Sequence, residues 1–256
     1  MNRCGNLASV LLTREMADAR QQLFAADSRR RKAIQLALYG GGPGYDGAGL
    51  AFLLEYFRIH DLGLRVNVYD NEPGWSTAVD GMAAALDKVS SCEVEWRFKS
   101  CDITDSIEDG INHDVGTDAD NTDLFIFSFV CVENLRLLES SDFIFLRELF
   151  QRCCVGSYFV FMDSTHRLWP LIWRIADATA NFRLWTPHAK GCHYALVLQK
   201  LPFGSAPQEL PFFTESLSRL AVFEKHHAHQ MQRLSSTSSV SKMDTVANDE
   251  VEMEIK

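Results

Sequence analysis

A glycine-rich turn follows the first strongly apolar run of the sequence and is the first place where chemistry is expected. The segment 37–49, ALYGGGPGYDGAG, places Gly40, Gly42 and Gly44 in a GxGxG pattern, with Gly41 between the first two. Without side chains the backbone can come close to a ligand, and free amides at the start of the following helix favour polar or anionic groups. The segment therefore predicts a turn that holds a ligand; the alternative is a tight turn that holds none.

Two acidic side chains stand at the ends of the next two strand-like runs. Asp70 ends RVNVYD and is followed by Asn71, and Asp102 lies in CDITD with Ile103 beside it. A carboxylate at a strand end beside a glycine turn can accept hydrogen bonds from both hydroxyls of a ribose. We therefore predict that Asp70 contacts a ribose and that Asp102 contacts an adenine, with Ile103 as an apolar wall beside it. Asn71 is a further candidate for contact with the same ligand. The alternatives are a helix N-cap for Asp70 and a solvated loop acid for Asp102.

Strand-like and helix-like segments alternate along most of the chain. The strand-like segments are 33–39, 65–70, 93–99, 123–130 and 157–163, and the helix-like segments are 14–30, 48–59, 75–89, 132–152 and 167–180. Such alternation requires right-handed crossovers and a parallel sheet. Two further strands at 182–185 and 193–200 have no helix between them, which predicts an antiparallel hairpin. The predicted fold class is α/β, a three-layer Rossmann-like sheet that is mostly parallel and ends in that hairpin.

In this fold class the carboxyl ends of adjacent strands open onto one crevice. The glycine turn, Asp70 and Asp102 should all face it, and Ser128, near the end of the fourth strand, is a further candidate cofactor contact. Two kinds of adenosine cofactor suit such a crevice, a dinucleotide or S-adenosylmethionine.

Six segments in order resemble the successive motifs of class I S-adenosylmethionine-dependent methyltransferases. They are ALYGGGPGYDGAG, VNVYDNEPGW, SCDITD, DLFIFSFV, GSYFVFMDS and the terminal hairpin, and together they span residues 33–200. A hairpin after the fifth strand–helix unit distinguishes that family from dinucleotide folds, which continue with a parallel strand. The resemblance implies that Gly40, Gly42 and Gly44 border the methionine and ribose portions of S-adenosylmethionine, with Asp70 at the ribose and Asp102 at the adenine.

One position departs from the family pattern. The family often has an acidic residue at the end of its first strand, where this chain has Leu38 and Tyr39. The resemblance implies a methyltransferase that moves the methyl group to an unidentified acceptor by direct displacement. Three alternatives stay open: a catalytically inactive methyltransferase-like scaffold, an RNA methyltransferase, and a nicotinamide-dependent oxidoreductase, which would have a parallel sixth strand.

The sequence says less about the residues that would contact the methyl acceptor. The fourth strand ends in SFVCVENL and lacks the Asn/Asp-Pro-Pro-aromatic motif that nucleic-acid amino-group methyltransferases generally carry. Glu133 and Asn134 are candidates to face the transferred methyl group, and His166 is a candidate general base. Cys131 follows the fourth strand, where a catalytic cysteine nucleophile would be placed. Nothing near it in the sequence indicates the lowered thiol pKa that a nucleophile needs.

Composition and charge narrow the acceptor class. The net charge of −9 argues against broad nucleic-acid binding, which depends on Lys and Arg neutralising phosphates. A protein or small-molecule acceptor is therefore expected ahead of RNA.

Seven cysteines without a CxxC pair indicate reduced, buried thiols in an intracellular protein. The short apolar stretch at the N-terminus predicts neither a membrane span nor a secretory leader, so the cytoplasm or nucleus is expected. No metal site is predicted.

The domain prediction has three parts. An N-terminal helical extension covers 1–32, and the cofactor-binding domain covers 33–203. A short helix at 212–225 and a disordered, Ser-rich acidic tail make up 204–256. Within the central domain, residues 102–123 carry eight Asp or Glu and no Lys or Arg, which predicts a solvated acidic loop.

Overall fold

The computed structural model describes residues 5–25, 32–187 and 194–226. Within these ranges seven strands form one sheet in the order β3-β2-β1-β4-β5-β7-β6. The strands are β1 (Ala33–Tyr39), β2 (Gly63–Asp70), β3 (Val94–Ser100), β4 (Leu124–Ser128), β5 (Tyr158–Asp163), β6 (Phe182–Trp185) and β7 (Tyr194–Lys200). The first five are parallel, and β7 runs antiparallel to both of its neighbours. The predicted fold class and terminal hairpin are confirmed.

Helices cover both faces of the sheet. One face packs against α1 (Gly5–Leu11), α2 (Ala17–Phe24), α3 (Tyr45–Tyr56) and α4 (Trp75–Leu86), and the other against α5 (His113–Asp118), α6 (Val130–Glu133), α7 (Leu135–Ser140), α8 (Ile144–Arg152), α9 (Trp169–Thr179) and α10 at 213–226. Among the described residues, no helix combines the length and apolar character that crossing a bilayer demands. The predicted serine-rich tail falls on residues 227–256, which lie outside the described residues.

The strands are apolar along their length because both of their faces are covered. Every residue of β4 and β5 is buried. Alternation along β1 sends Leu36 and Leu38 to the core on one face and Ala37 and Tyr39 to the core on the other. The two hydrophobic cores therefore hold the sheet from both sides.

Four aromatic rings form a row across β2, β1, β4 and β5 near the carboxyl ends of the strands. Tyr39 stacks on Tyr69 at 5.1 Å and on Phe127 at 4.6 Å between ring centroids, and Phe127 stacks on Phe161 at 4.8 Å. Each neighbouring pair is also a registered pair of the parallel ladder. Aromatic pairs contribute about 0.5–1.5 kcal/mol beyond their buried area. This aromatic row therefore favours one register in four adjacent strands.

The prediction of a solvated loop at 102–123 is wrong. The segment forms two short 3-10 turns and α5. Ile107, Val115 and Ala119 are buried in the core, and Asn112 is fully buried. Of these residues only Val115 lies within α5, so the segment has no continuous helical periodicity. The acidic residues between the buried positions dominate the composition and hid them.

The long helix predicted at 132–152 is also wrong, since three helices replace it. The chain turns between α7 and α8 at Asp142 and Phe143, which have φ angles of +51° and +54°. Phe143 is buried, so its packing fixes this uncommon backbone conformation. At the N-terminus, the structure adds α1, which was not predicted, and begins α2 at Ala17.

Part of the glycine pattern serves packing. At Gly44, which has φ +88°, an added Cβ would lie 2.4 Å from the Trp96 ring, and at Gly47 it would lie 2.9 Å from the same ring. Trp96 belongs to β3, so the indole reaches under the start of α3 from two strands away. These two glycines let the helix approach the sheet closely.

Gly44→Ala should lower the free energy of unfolding by at least about 2 kcal/mol, because overpacking and a strained φ angle each cost about 1–3 kcal/mol. Equilibrium unfolding in urea measures the change. Gly81→Ala is the matched control, since an added Cβ there meets nothing within 4 Å. It should raise stability by up to about 1 kcal/mol, as expected for Gly to Ala inside a helix. Equal effects of the two substitutions would contradict the packing role.

Candidate functional site

A cavity of about 750 Å³ opens at the carboxyl ends of β1 to β4. Its lining includes eight residues predicted from the sequence: Gly40, Gly42, Asp70, Asn71, Asp102, Ile103, Glu133 and Asn134. Tyr69 forms part of the floor, and Tyr45 and Trp75 add exposed aromatic rings. The structure thus brings these eight residues around one cavity, and what they bind stays a prediction.

Four predicted site residues lie outside the cavity lining. Gly41 packs against Leu38, and Gly44 packs against Trp96. The Ser128 hydroxyl, which is buried, donates a hydrogen bond of 2.6 Å to the buried Asp46 carboxylate. That bond ties the first turn of α3 to the end of β4.

The fourth is His166, whose ring packs against Phe223 at 4.1 Å and Tyr194 at 4.7 Å between centroids. Its surroundings are therefore the aromatic residues of α10 and β7. Its predicted role as a general base has no support from this position.

The glycine turn is shaped by backbone conformation and by its neighbour after β4. Gly40 and Gly42 have φ angles of +60° and +51°, which L-residues with side chains rarely adopt. A Cβ on Gly40 would lie 2.6 Å from the Val130 side chain, so the segment after β4 closes against the turn. A Cβ added to Gly42 would have the Trp75 ring as its nearest neighbour, at 3.8 Å. Gly42 lines the cavity, and an added Cβ there would make only ordinary van der Waals contact.

Asp70 does not cap the following helix. Its Oδ1 accepts a hydrogen bond of 3.0 Å from the Glu72 amide, and Glu72 Oε1 accepts one of 3.0 Å from the Gly74 amide. Helix α4 begins at Trp75 with Gly74 as its N-cap and without a side-chain cap. The N-cap alternative is therefore excluded, and the carboxylate of Asp70 lies on the cavity wall.

Asp102 is held by its own loop and by a residue that the sequence did not point to. Its Oδ1 accepts hydrogen bonds from the amide and hydroxyl of Thr104, at 2.9 and 2.7 Å. Asn112 Oδ1 accepts a bond of 2.9 Å from the Asp102 amide, and Asn112 Nδ2 donates to the carbonyls of Asp102 and Ser106. Asn112 was missed because it lies in the segment predicted to be a solvated loop.

The floor of the cavity rests on one carboxylate. Asp118 Oδ2 accepts hydrogen bonds from the Tyr69 hydroxyl at 2.5 Å, from Lys99 Nζ at 2.6 Å and from Asn67 Nδ2 at 2.8 Å. Burial, and then the neighbouring phenol of Tyr39 and the carboxylate, raise the pKa of Tyr69 well above its ordinary value. Tyr69 is therefore a neutral hydrogen-bond donor.

Tyr39, the last residue of β1, is committed to packing. Its ring is fully buried in the aromatic row, and burial raises the pKa of its hydroxyl well above the ordinary value. It is not among the residues that line the cavity. Its position serves stacking in the aromatic row.

The β4 side of the cavity is built on a strained residue. Phe129 has φ +65°, unusual for a residue with a bulky side chain, and its amide donates to the Met162 carbonyl at 2.8 Å. This turn starts α6 and sets Val130 against Gly40. Asn134 Nδ2 donates to the Val130 carbonyl at 2.9 Å, which orients its amide at the cavity edge beside Glu133.

The charged side chains that line the cavity are acidic. Among the described residues that line it, Asp70, Glu72, Asp102 and Glu133 are acidic, and none is Lys, Arg or His. Across the described ranges, no three His, Cys, Asp or Glu side chains converge in a way that could hold a metal ion. The wall thus favours neutral or cationic ligand groups.

Burial makes the thiols of Cys101, Cys131 and Cys153 unreactive. Burial raises the pKa of Cys101 and Cys131 far above the ordinary value, with neighbouring carboxylates adding to the effect. Burial also raises the pKa of Cys153 to about 12. Cys131 therefore has little thiolate at neutral pH, which argues against covalent catalysis through it. Cys154 is exposed, so the prediction of a buried thiol is wrong at that position.

A brief iodoacetamide treatment of the folded protein should modify Cys154 and leave Cys101, Cys131 and Cys153 unmodified, because alkylation needs an accessible thiolate. Mass spectrometry of the peptides measures each site. The same treatment in urea is the control and should modify all four. Modification of Cys131 as fast as Cys154 in the folded protein would contradict the assignment of an inert thiol.

Comparisons with known proteins find similarity in structure. A scan against protein-family models and a search of curated proteins give no match. Human N-acetylserotonin methyltransferase in complex with S-adenosylmethionine is 13% identical with a TM-score of 0.47, over 77% of this chain and 52% of that one. A small RNA methyltransferase is 12% identical with a TM-score of 0.47, over 74% of this chain and 26% of that one.

A putative class I S-adenosylmethionine-dependent methyltransferase from Listeria monocytogenes is 11% identical with a TM-score of 0.45. The alignment covers 87% of this chain and 71% of that one. The chain spans about half the length of the human protein. At such low identity the similarity concerns the fold, and an argument for function depends on the topology and side chains of this chain.

Proposed function

We propose that this protein is an S-adenosylmethionine-dependent methyltransferase. The observation that carries the proposal is the cavity beside the glycine turn, at the point where the sheet order reverses between β1 and β4. Ligands of open α/β sheets bind at such a switch point, outside the carboxyl ends of the strands. The antiparallel β7 beside β5 supports a methyltransferase over a nicotinamide-dependent oxidoreductase, which would continue with a parallel strand.

The residues around the cavity fit the proposed cofactor. Gly42 lines the cavity with bare backbone, at a φ angle of +51° where any side chain would be strained. Asp70 and Asp102 use Oδ1 for their own loops, and Oδ2 of each carboxylate is the oxygen proposed to accept a bond from the ribose and the adenine amino group. Ile103 and Cys101 add apolar surface for the adenine ring. S-Adenosylmethionine would supply an electrophilic methyl group on a positively charged sulfur.

The contribution of the chain to the chemistry is positioning. Asp70 and Asp102 orient the nucleoside from β2 and β3, and the bare turn lets the ligand backbone lie close to the sheet. Val130, Glu133 and Asn134 border the cavity from the β4 side, where an acceptor would approach. Holding two reactants in line can supply much of the rate for a substrate with a good leaving group. No strong acid or nucleophile is required.

Isothermal titration with S-adenosylhomocysteine tests the proposal. Asp70→Asn should weaken binding at least about tenfold, because a hydrogen bond to a charged group contributes about 1.5–3 kcal/mol. Asp61→Asn is the control, since Asp61 is an exposed carboxylate just before β2, at the opposite end of that strand from Asp70. It should leave the affinity unchanged.

Two results would contradict the proposal. Equal affinities of the Asp70→Asn variant and the unaltered protein would remove the ribose role of Asp70. Absence of any binding by the unaltered protein at millimolar ligand would favour the inactive scaffold in place of an enzyme.

A further inference from the structure

The β4 side of the cavity presents groups that accept hydrogen bonds. Glu133 is exposed there, and among the described residues no side chain forms an ion pair or hydrogen bond with its carboxylate. Asn134 uses its Nδ2 to donate to the Val130 carbonyl, so its Oδ1 is the atom that is left to accept. A ligand group that approaches this side meets acceptors and therefore has to bring donors.

The negative charge of the cavity wall also favours a ligand group that is a donor and a cation. The cofactor assignments use Asp70 and Asp102, and Glu72 Oε1 accepts a hydrogen bond from the Gly74 amide, whereas no described side chain is bonded to either oxygen of Glu133. No Lys, Arg or His in the described lining offsets these four acids. An anionic acceptor would be repelled by them, whereas a cation would be attracted.

Two aromatic rings add a second, independent feature. Tyr45 and Trp75 line the same cavity and keep more than a third of their surface exposed. The faces of such rings attract ammonium groups through their quadrupole. Exposed rings together with uncommitted carboxylate and amide oxygens are the groups that recognise an alkylammonium ion.

We propose that the methyl acceptor is the nitrogen of a basic alkyl amine, carried by a small molecule or by a lysine side chain; the inference rests on the proposed function. Glu133 attracts the ammonium form and accepts its proton, which exposes the nitrogen lone pair. The lone pair forms the N–CH₃ bond as the C–S bond breaks, and the sulfonium becomes a neutral thioether. The proton passes from Glu133 to water.

The first test is binding to the protein saturated with S-adenosylhomocysteine. Saturation-transfer NMR compares n-hexylamine, hexanoate and hexyl phosphate, which share a chain and differ in the head group. Hexylamine should bind at least tenfold more tightly than either anion. Equal binding of the three, or preference for an anion, would overturn the inference while leaving the cofactor assignment intact. Failure of S-adenosylhomocysteine itself to bind would overturn both.

The second test follows labelled methyl transfer to hexylamine, to a lysine-containing peptide and to an RNA oligonucleotide. Label in hexylamine or in the peptide supports the inference and separates the two sources of the amine, whereas label in the RNA alone overturns it. Glu133→Gln should lower kcat/KM for the labelled amine at least tenfold and leave the affinity for S-adenosylhomocysteine within twofold. Glu139→Gln, at an exposed carboxylate on α7, is the matched control and should change neither. Equal activity of both variants would overturn the role of Glu133.

Discussion

The parallel register of β2, β1, β4 and β5 is the constraint on which the site depends. The row of stacked rings from Tyr69 through Tyr39 and Phe127 to Phe161 crosses these strands at one level. A slip of one residue would send each ring to the opposite core. Because the register is held, Gly40 and Asp70, which directly follow two of the rings, arrive at the same edge of the sheet.

The same row accounts for a departure from the methyltransferase pattern. Leu38 and Tyr39 stand at the end of β1, where the family often has an acidic residue, and the Tyr39 ring is needed between Tyr69 and Phe127. A carboxylate at that position would be buried between two aromatic rings, which is costly for a charge. The carboxylate of Asp46, at the start of α3, accepts a hydrogen bond from Ser128 and joins α3 to β4. Packing therefore decides which residue stands at the end of β1.

The predictable parts of the fold are those in which one pattern dominates. Bounds for β1 and β6 coincide with those predicted, and the other strands differ by at most two residues at an end, since a strand buried on both faces is a continuous apolar run. Asn112 could not be foreseen, because its three hydrogen bonds depend on how the segment 102–123 folds back on itself. The turn at Asp142 and Phe143 carries no glycine or proline, and its only sequence signal is the polar run Ser140, Ser141 and Asp142, which was not used.

The glycine pattern shows why a motif alone does not identify the contacts it makes. Trp96 lies under Gly44 and Gly47 from one face of the sheet, and Val130 presses on Gly40 from the segment after β4. The turn is therefore fixed from two directions by side chains of distant strands. Of the four glycines, Gly40 and Gly42 line the cavity, both at backbone angles that favour glycine. Ligand contact should accordingly concentrate at Gly40 and Gly42, while Gly44 acts through the packing that holds the turn in place.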